Sequence, residues 1–328
     1  MASFSQFGND LYTGTRSINF IGRRRLWFLI SAVAVLLSVA IPFLRGGFVF
    51  GIEFSGGSEF RISNTQTIDQ SLAVKAVGSV APGITPRVST VGGNAVRVQT
   101  DQLQDTQSTA VRAALATAYG VPLQEVTESF IGATWGADIT GQALRALATF
   151  LVLAAIVMAL YFRTWKMSLA AMVALLHDLV ITAGVYGIVG FEVTPAAVIG
   201  FLTILGYSLY DTVVVFDKIR ENTSGEDAQS SRTFGESVNL AVNQTLVRSI
   251  NTSVVAILPV AAILFIGAFV LGAGTLRDIA LALFIGILVG TYSTIFIAAP
   301  LYALLRQREP AIRKQSARAL QLRAKSVA

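Results

Sequence analysis

The chain has 328 residues, 53% of them hydrophobic and 13% charged, an apolar share above the ~45–50% of an ordinary soluble domain, so a membrane is the expected solvent. The absence of cysteine excludes disulfides and thiolate metal sites, a single histidine, His177, argues against a zinc centre, and no metal or other cofactor is expected. The formal charge of +6 comes mainly from Lys and Arg beside apolar segments, not from a basic stripe with interleaved aromatics, which argues against nucleic acid as a partner.

Residues 1–25 read as a cytoplasmic N-terminal segment ending in Arg23-Arg24-Arg25, followed by a first transmembrane helix over 26–44, Leu26 to Leu44. Ser38-Val39-Ala40 offers the small residues a signal peptidase would use, but an apolar stretch of ~19 residues exceeds a typical signal core, so a retained anchor is expected.

The apolar pattern then breaks over about 48–130, which must be an extracytoplasmic α+β domain. Ser58 to Ser63 alternates like a strand, and Ile68, Leu72, Ala76 and Val80 recur like one face of a helix. Arg87 to Val91 and Ala95 to Gln99 flank Gly92-Gly93-Asn94 as a hairpin, and Thr100 or Asp101 caps a second helix that Gly120 ends. A last strand over Val121 to Phe130 completes a ferredoxin-like βαββαβ order. Its acidic residues read as solvated surface, with no catalytic constellation.

Residues 143–305 form a five-helix transmembrane region, with spans Ala143 to Phe162, Ser168 to Val189, Ala196 to Phe216, Leu246 to Val270 and Ile279 to Leu305. The fold class is thus a polytopic membrane protein of six transmembrane helices with the soluble domain between the first and second. The loop over about 217–245 and the basic tail over 306–328 carry Lys and Arg, whereas the loops at Gly190 to Thr194 and Leu271 to Thr275 carry none, which places both termini in the cytoplasm. Pro259 is expected to bend the fifth span, and Gly286 and Gly290 to let the sixth approach a neighbour closely.

Polar residues at membrane depth are expensive and therefore the functional candidates. Asp211 lies ~9 Å of helix rise from the charged edge at Asp217, on a stripe with Gly200, Thr203, Tyr207 and Ser208 that should face inward. On the fifth span Gln244, Arg248, Asn251 and Thr252 share a face, so Arg248 can meet Asp211 from the antiparallel neighbour. Two alternatives stand beside this acid and base pair: Arg248 snorkelling to the interface, and Asp211 as a static structural hydrogen bond. In the third span Asp178 shares a stripe with Thr182 and Tyr186, and reads either as a second proton-path carboxylate or as an inter-helix hydrogen bond. His177 points to another face and reads as a packed polar residue or a relay.

Gly51-Ile52-Glu53-Phe54-Ser55-Gly56-Gly57, His177-Asp178 and the segment from Gly206 to Asn222 closely resemble the SecF family of bacterial protein-export subunits, within the resistance-nodulation-division superfamily. The resemblance runs from about Asn19 to Arg306, and it departs where Tyr210 replaces an Asn- or Asp-type residue and Lys218 an Arg. It implies a protein of the bacterial plasma membrane that works with SecD and the SecYEG channel. The proton-motive force would help move translocating unfolded polypeptide, and Asp211 and Arg248 fall on the family's proton-coupling positions. Membrane lipid is the remaining partner.

A small-molecule efflux subunit is a rival, against which stand a single six-span half and an insert of only ~80 residues, short for a drug pocket. A non-transporting scaffold is the second rival, and needs no ionisable group at Asp211. An enzyme is not expected, since the chain has no phosphate-binding GxxxxGK[ST] loop and no nucleophile elbow.

Overall fold

The structure, a computed structural model, describes residues 4–224, 232–268 and 274–327. In chain order it contains α1 (Phe4–Thr13), α2 (Arg24–Leu44), β1 (Val49–Phe50), α3 (Ile52–Ser55), β2 (Gly57–Ile62), α4 (Gln70–Val80), β3 (Arg87–Val91), β4 (Ala95–Thr100) and α5 (Asp105–Tyr119). A 3-10 turn at Leu123–Glu125 leads to β5 (Val126–Ile131), α6 (Ala133–Phe162), α7 (Trp165–Val189), β6 (Glu192–Val193), α8 (Pro195–Thr223) and α9 (Phe234–Ala262). After α9 come a π-helical segment at Ile263–Ala268, α10 (Gly274–Ser293), a second π-helical segment at Thr294–Ala298, α11 (Ala299–Gln307) and α12 (Pro310–Val327).

Among the described residues, six helical stretches are long and apolar enough to cross a membrane: Arg24–Leu44, Ala133–Phe162, Trp165–Val189, Pro195–Thr223, Phe234–Gly267 and Leu276–Gln307. They overrun the apolar windows of the sequence because nothing breaks the helix where hydrophobicity ends. α6 starts straight after β5, and its Gly136 lies against the backbone of Phe54, where a Cβ would meet the carbonyl oxygen at 2.5 Å. α8 continues through the charged residues to Thr223, aided by the Lys218–Glu221 ion pair at 2.7 Å. α9 starts at Phe234 behind a capping box in which Thr233 N–H donates to Glu236 at 2.8 Å. Most of the loop expected over 217–245 is therefore helix, and its centre at 225–231 lies outside the described residues. So do residues 269–273, which take in the end of the expected fifth span and most of the Leu271 to Thr275 loop. Pro259 sits inside α9, and four residues later Ile263 N–H is shared between the carbonyls of Pro259 and Val260 where the π-helical segment begins.

Between α2 and α6 lies an antiparallel four-stranded sheet in the order β3-β4-β2-β5, with Phe60 facing Val98 and Ile62 facing Val96 across its centre. Those four side chains are buried against Ala73 and Val77 of α4 and Val111 and Leu115 of α5. The β3–β4 hairpin turns through Gly92 at φ 65°, and α5 ends at Gly120 at φ 63°, both left-handed conformations that glycine adopts without strain. Three details differ from the sequence reading. α4 begins at Gln70 behind the cap Asp69, leaving Ile68 exposed ahead of it, while Leu72, Ala76 and Val80 pack on the core as expected together with Ala73 and Val77. α5 is capped by Gln104 in a box with Gln107, not by Thr100 or Asp101, since those two end β4 and the bend after it. The parallel pair β1–β6, with Val49 opposite Glu192 and Phe50 opposite Val193, was not expected and joins the segment after α2 to the turn before α8.

The bundle packs through small residues. A Cβ on Gly200 of α8 would stand 2.6 Å from that of Ala282 on α10, one on Gly286 would strike Ile204, and one on Gly290 would lie 3.1 Å from Ser208. The N-terminal segment is strapped to α9, with the amides of Ile18 and Phe20 donating to Asn243 at 2.8 Å and Asn239 at 2.9 Å.

Gly286→Ala should destabilise the bundle by about 1–3 kcal/mol through overpacking against Ile204. Gly206→Ala, at an exposed helical position with nothing within 4 Å of the added carbon, should be neutral or stabilise by about 0.5–1 kcal/mol through helix propensity. Thermal melting of the two variants in the same detergent checks the opposite signs.

Candidate functional site: two carboxylates in the helical bundle

Asp178 sits midway along α7 and is 0% exposed. A carboxylate so buried needs donors, and three helices supply them: Ser208 of α8 donates to Oδ2 at 2.5 Å, Ser293 of α10 to Oδ2 at 2.8 Å, and His177 Nδ1 lies 3.1 Å from Oδ1. Gly290 makes room, since a Cβ there would stand 3.6 Å from Oδ2. His177 and Asp178 are therefore in contact, contrary to the expectation that neighbours in sequence point apart. The His177 ring stacks on Tyr292 at 6.2 Å, and the Tyr292 hydroxyl lies 3.1 Å from Ser31 of α2. Among the described residues His177 Nε2 is buried without a partner, as is the hydroxyl of Thr182 further along α7. Beyond Thr182, Tyr186 donates to the backbone oxygen of Asp278 at 2.9 Å.

Asp211 lies three residues after Ser208 on α8 and is 4% exposed. Its Oδ1 accepts from Ser249 of α9 at 2.8 Å, and its Oδ2 is buried with no partner among the described residues. Hydroxyls continue around it. Tyr207 donates to Ser253 at 3.1 Å, Ser253 lies 2.5 Å from Thr291, and Thr212 lies 3.0 Å from Thr294. Arg248 does not close the expected ion pair, because it is the residue before Ser249 and the helix turns it outward. Its guanidinium is exposed and reaches the Tyr210 hydroxyl at 3.5 Å. The rest of the expected α9 face is likewise not turned toward Asp211: Asn251 is exposed, Thr252 donates to the carbonyl of Arg248 at 2.8 Å, and Gln244 accepts from Asn222 at 2.8 Å. On α8, Thr203 is exposed and donates to Ile199 O at 2.7 Å, so the inward stripe consists of Gly200, Ser208 and Asp211, with Tyr207 half-buried at its edge. Ser249, Ser253, Thr291, Ser293 and Thr294 are the residues the sequence reading missed. Their signal was available as hydroxyls at i and i+4 on α9 and a hydroxyl run late in α10.

Asp178 of α7 is bonded to Ser208 of α8, and Asp211 follows Ser208 by three residues on the same face of that helix, so the two carboxylates approach α8 in neighbouring sets of hydroxyls, one of them with an imidazole. Groups of these kinds can accept and hold protons. Among the described residues no group of three His, Asp or Glu side chains is placed to hold a metal ion.

A second polar cluster lies where the sheet meets the helices. Glu192 on β6 pairs with Arg97 of β4 and accepts from Gln99 at 2.8 Å, and Gln99 also donates to Glu59 at 3.0 Å. Glu59 and Arg97 of this cluster, with Glu53, Arg61 and Asp278, border a cavity of about 360 Å³. Burial pushes the Glu53 carboxyl above the usual carboxylate range, and Glu192 and Glu59 add to it. These acids are therefore not all solvated surface. Gly57, at φ 140°, lets β2 pass the carbonyl of Thr100 where a Cβ has no space, which accounts for a glycine at the end of the motif from Gly51.

Residues 111–308 match the family model for the C-terminal region of the protein export membrane proteins SecD and SecF. The protein translocase subunit SecF of Mycobacterium tuberculosis is 44% identical over 97% of this chain and 73% of its own length. That of Streptomyces coelicolor is 42% identical over 100% of this chain and 87% of its own. The crystal structure of SecDF from Thermus thermophilus, described as a translocon-associated membrane protein, superposes with a TM-score of 0.77 at 29% identity, covering 89% of this chain and 39% of that one. The chain therefore spans about two fifths of the SecDF polypeptide, and the last five of its six spans fall within a family match that covers more than half of its residues. With identity at this level along nearly its whole length, the chain belongs to the SecD/SecF family of protein-export membrane proteins.

Proposed function

We propose that this chain acts as the SecF half of a SecD–SecF pair in the bacterial plasma membrane, associated with the SecYEG channel, and that it uses the proton-motive force to assist movement of unfolded polypeptide. The observation that carries the reading is the Asp211 carboxyl, buried in the bundle with one oxygen bonded to Ser249 and the other without a partner among the described residues. A group left half-satisfied at membrane depth is kept for more than packing. Both termini lie in the cytoplasm in this reading, supported by the Lys and Arg at that side's loops. The β2–β5 unit is then an extracytoplasmic ferredoxin-like domain within residues 48–130, supported by its βαββαβ element order.

Asp211 and Arg248 carry the proton coupling in this mechanism. With Asp211 ionised, its charge attracts the guanidinium of Arg248 on the next helix; with a proton bound, that attraction goes and α8 and α9 are free to shift. One elementary charge moved through 100 mV contributes about 2.3 kcal/mol, enough to bias a two-state movement some tens-fold. Asp178 is a second proton-holding group, with His177 and Ser208 as its relays or supports, and Tyr207 supports the Asp211 side through Ser253. Asn251 and Thr252 are supporting polar residues on α9. The movement reaches the external domain through α2 and α6, which flank it, and through the β1–β6 pair.

The Ser249–Asp211 hydrogen bond favours a second reading, in which Asp211 is a fixed inter-helix contact and the chain is a scaffold of the channel complex. Export of a secreted reporter, measured with and without a proton gradient at equal membrane levels, separates the two. Asp211→Asn should abolish the gradient-dependent part alone; unchanged export would establish the scaffold. Asp178→Asn keeps the shape but loses an ionisable group. It should lower gradient-dependent export at least several-fold with little change in the melting temperature, whereas a lower melting temperature with normal export would make Asp178 a structural contact only.

A further inference from the structure

At the end of the bundle where the N-terminal strap meets the C-terminal helices, a cavity of about 390 Å³ opens between α2 and α11, within the ~300–1,000 Å³ of small-ligand sites. Arg24, Arg25, Gln307 and Arg308 form its mouth, and Phe28 and Leu304 its floor. The spans Arg24–Leu44 and Leu276–Gln307 begin and end at this level, so the mouth lies at the membrane surface and the floor one helical turn into the hydrocarbon.

The charges here are uneven in their pairing. Arg24 donates to Gln307 at 2.6 Å, which ties the two helices together across the cavity. The nearest carboxylate in sequence, Glu309, is taken by Lys166 at 2.8 Å and Arg306 at 3.5 Å, and the hydrogen bond from Lys166 holds it below the usual carboxylate range. The guanidiniums of Arg25 and Arg308 make no hydrogen bond or ion pair among the described residues, and both are exposed. Two unneutralised guanidiniums flank a third held in place, above an apolar floor. That combination fits a ligand with an anionic, fork-accepting head and a hydrocarbon tail.

We propose that this cavity seats the phosphate of an anionic phospholipid, with Arg25 and Arg308 on the phosphate oxygens, Arg24 and Gln307 fixing the width of the seat, and one acyl chain lying along Phe28 and Leu304. The lipid then bridges the first and last spans at the surface, beside the strap that Asn239 and Asn243 hold. The site is separate from the Asp211 network and does not depend on proton coupling.

The test is titration of the full-length chain in detergent micelles with phosphatidylglycerol, followed by native mass spectrometry, with phosphatidylcholine, diacylglycerol and free glycerol phosphate as the other arms. One saturable phosphatidylglycerol site is expected, with weaker phosphatidylcholine, no diacylglycerol and no competition from glycerol phosphate. Arg25→Ala with Arg308→Ala should weaken it about tenfold or more, while Arg313→Ala with Lys314→Ala, basic residues outside the cavity, should leave it unchanged. Should the alanine pair melt lower than wild type, Arg25→Gln with Arg308→Gln keeps the bulk and gives the same expected loss. Equal loss in the tail variant would mean diffuse attraction to a charged surface, and competition by glycerol phosphate would mean a soluble-phosphate site; either overturns the proposal, as does equal binding of the zwitterionic lipid.

Discussion

Placing a carboxylate in the middle of an apolar helical bundle is the constraint on which the rest of this structure depends. Asp178 meets it with donors from three directions, Ser208 on α8, Ser293 on α10 and His177 on its own helix. Those donors reach it only because the helices run close together, and they run close because Gly286 and Gly290 face Ile204 and Ser208. The glycines and the carboxylate therefore form one arrangement. A side chain at 290 would crowd Ser208 and Asp178 together, and an apolar residue at 178 would strand the hydroxyls that converge there.

Asp211 meets the same constraint less completely. It has one hydroxyl donor and one bare oxygen, and the nearest cation along α9 is turned to Tyr210. One carboxylate is held by three side chains and the other by one, so the two are unequal environments for a carboxyl in the same bundle. The domain between α2 and α6 is tied to the bundle at both ends, because its last strand runs directly into α6 and β1, after α2, pairs with β6 before α8.

The six spans were legible because hydrophobicity over ~20 residues is a strong signal, and their ends were not, because a helix continues wherever capping and ion pairs support it. The Lys218–Glu221 pair and the Thr233–Glu236 box carried α8 and α9 well beyond the membrane windows. The strands and hairpin of the domain followed their alternation and turn glycines, whereas the β1–β6 pair, two residues on each side, leaves no periodicity to read. Asp178 and Asp211 were found by their cost in hydrocarbon. Their partners were mistaken because a shared face narrows orientation only to within a residue or so, and that one residue is the difference between Arg248 and Ser249.

The central claim is that a proton passes through the bundle by way of Asp211. Proton uptake into proteoliposomes holding this chain with SecD, under an imposed gradient, tests it most directly. The account requires uptake by the wild-type pair, retained in Gly206→Ala and abolished in Asp211→Asn. Equal uptake with and without the carboxyl, or none in the wild type, would contradict it.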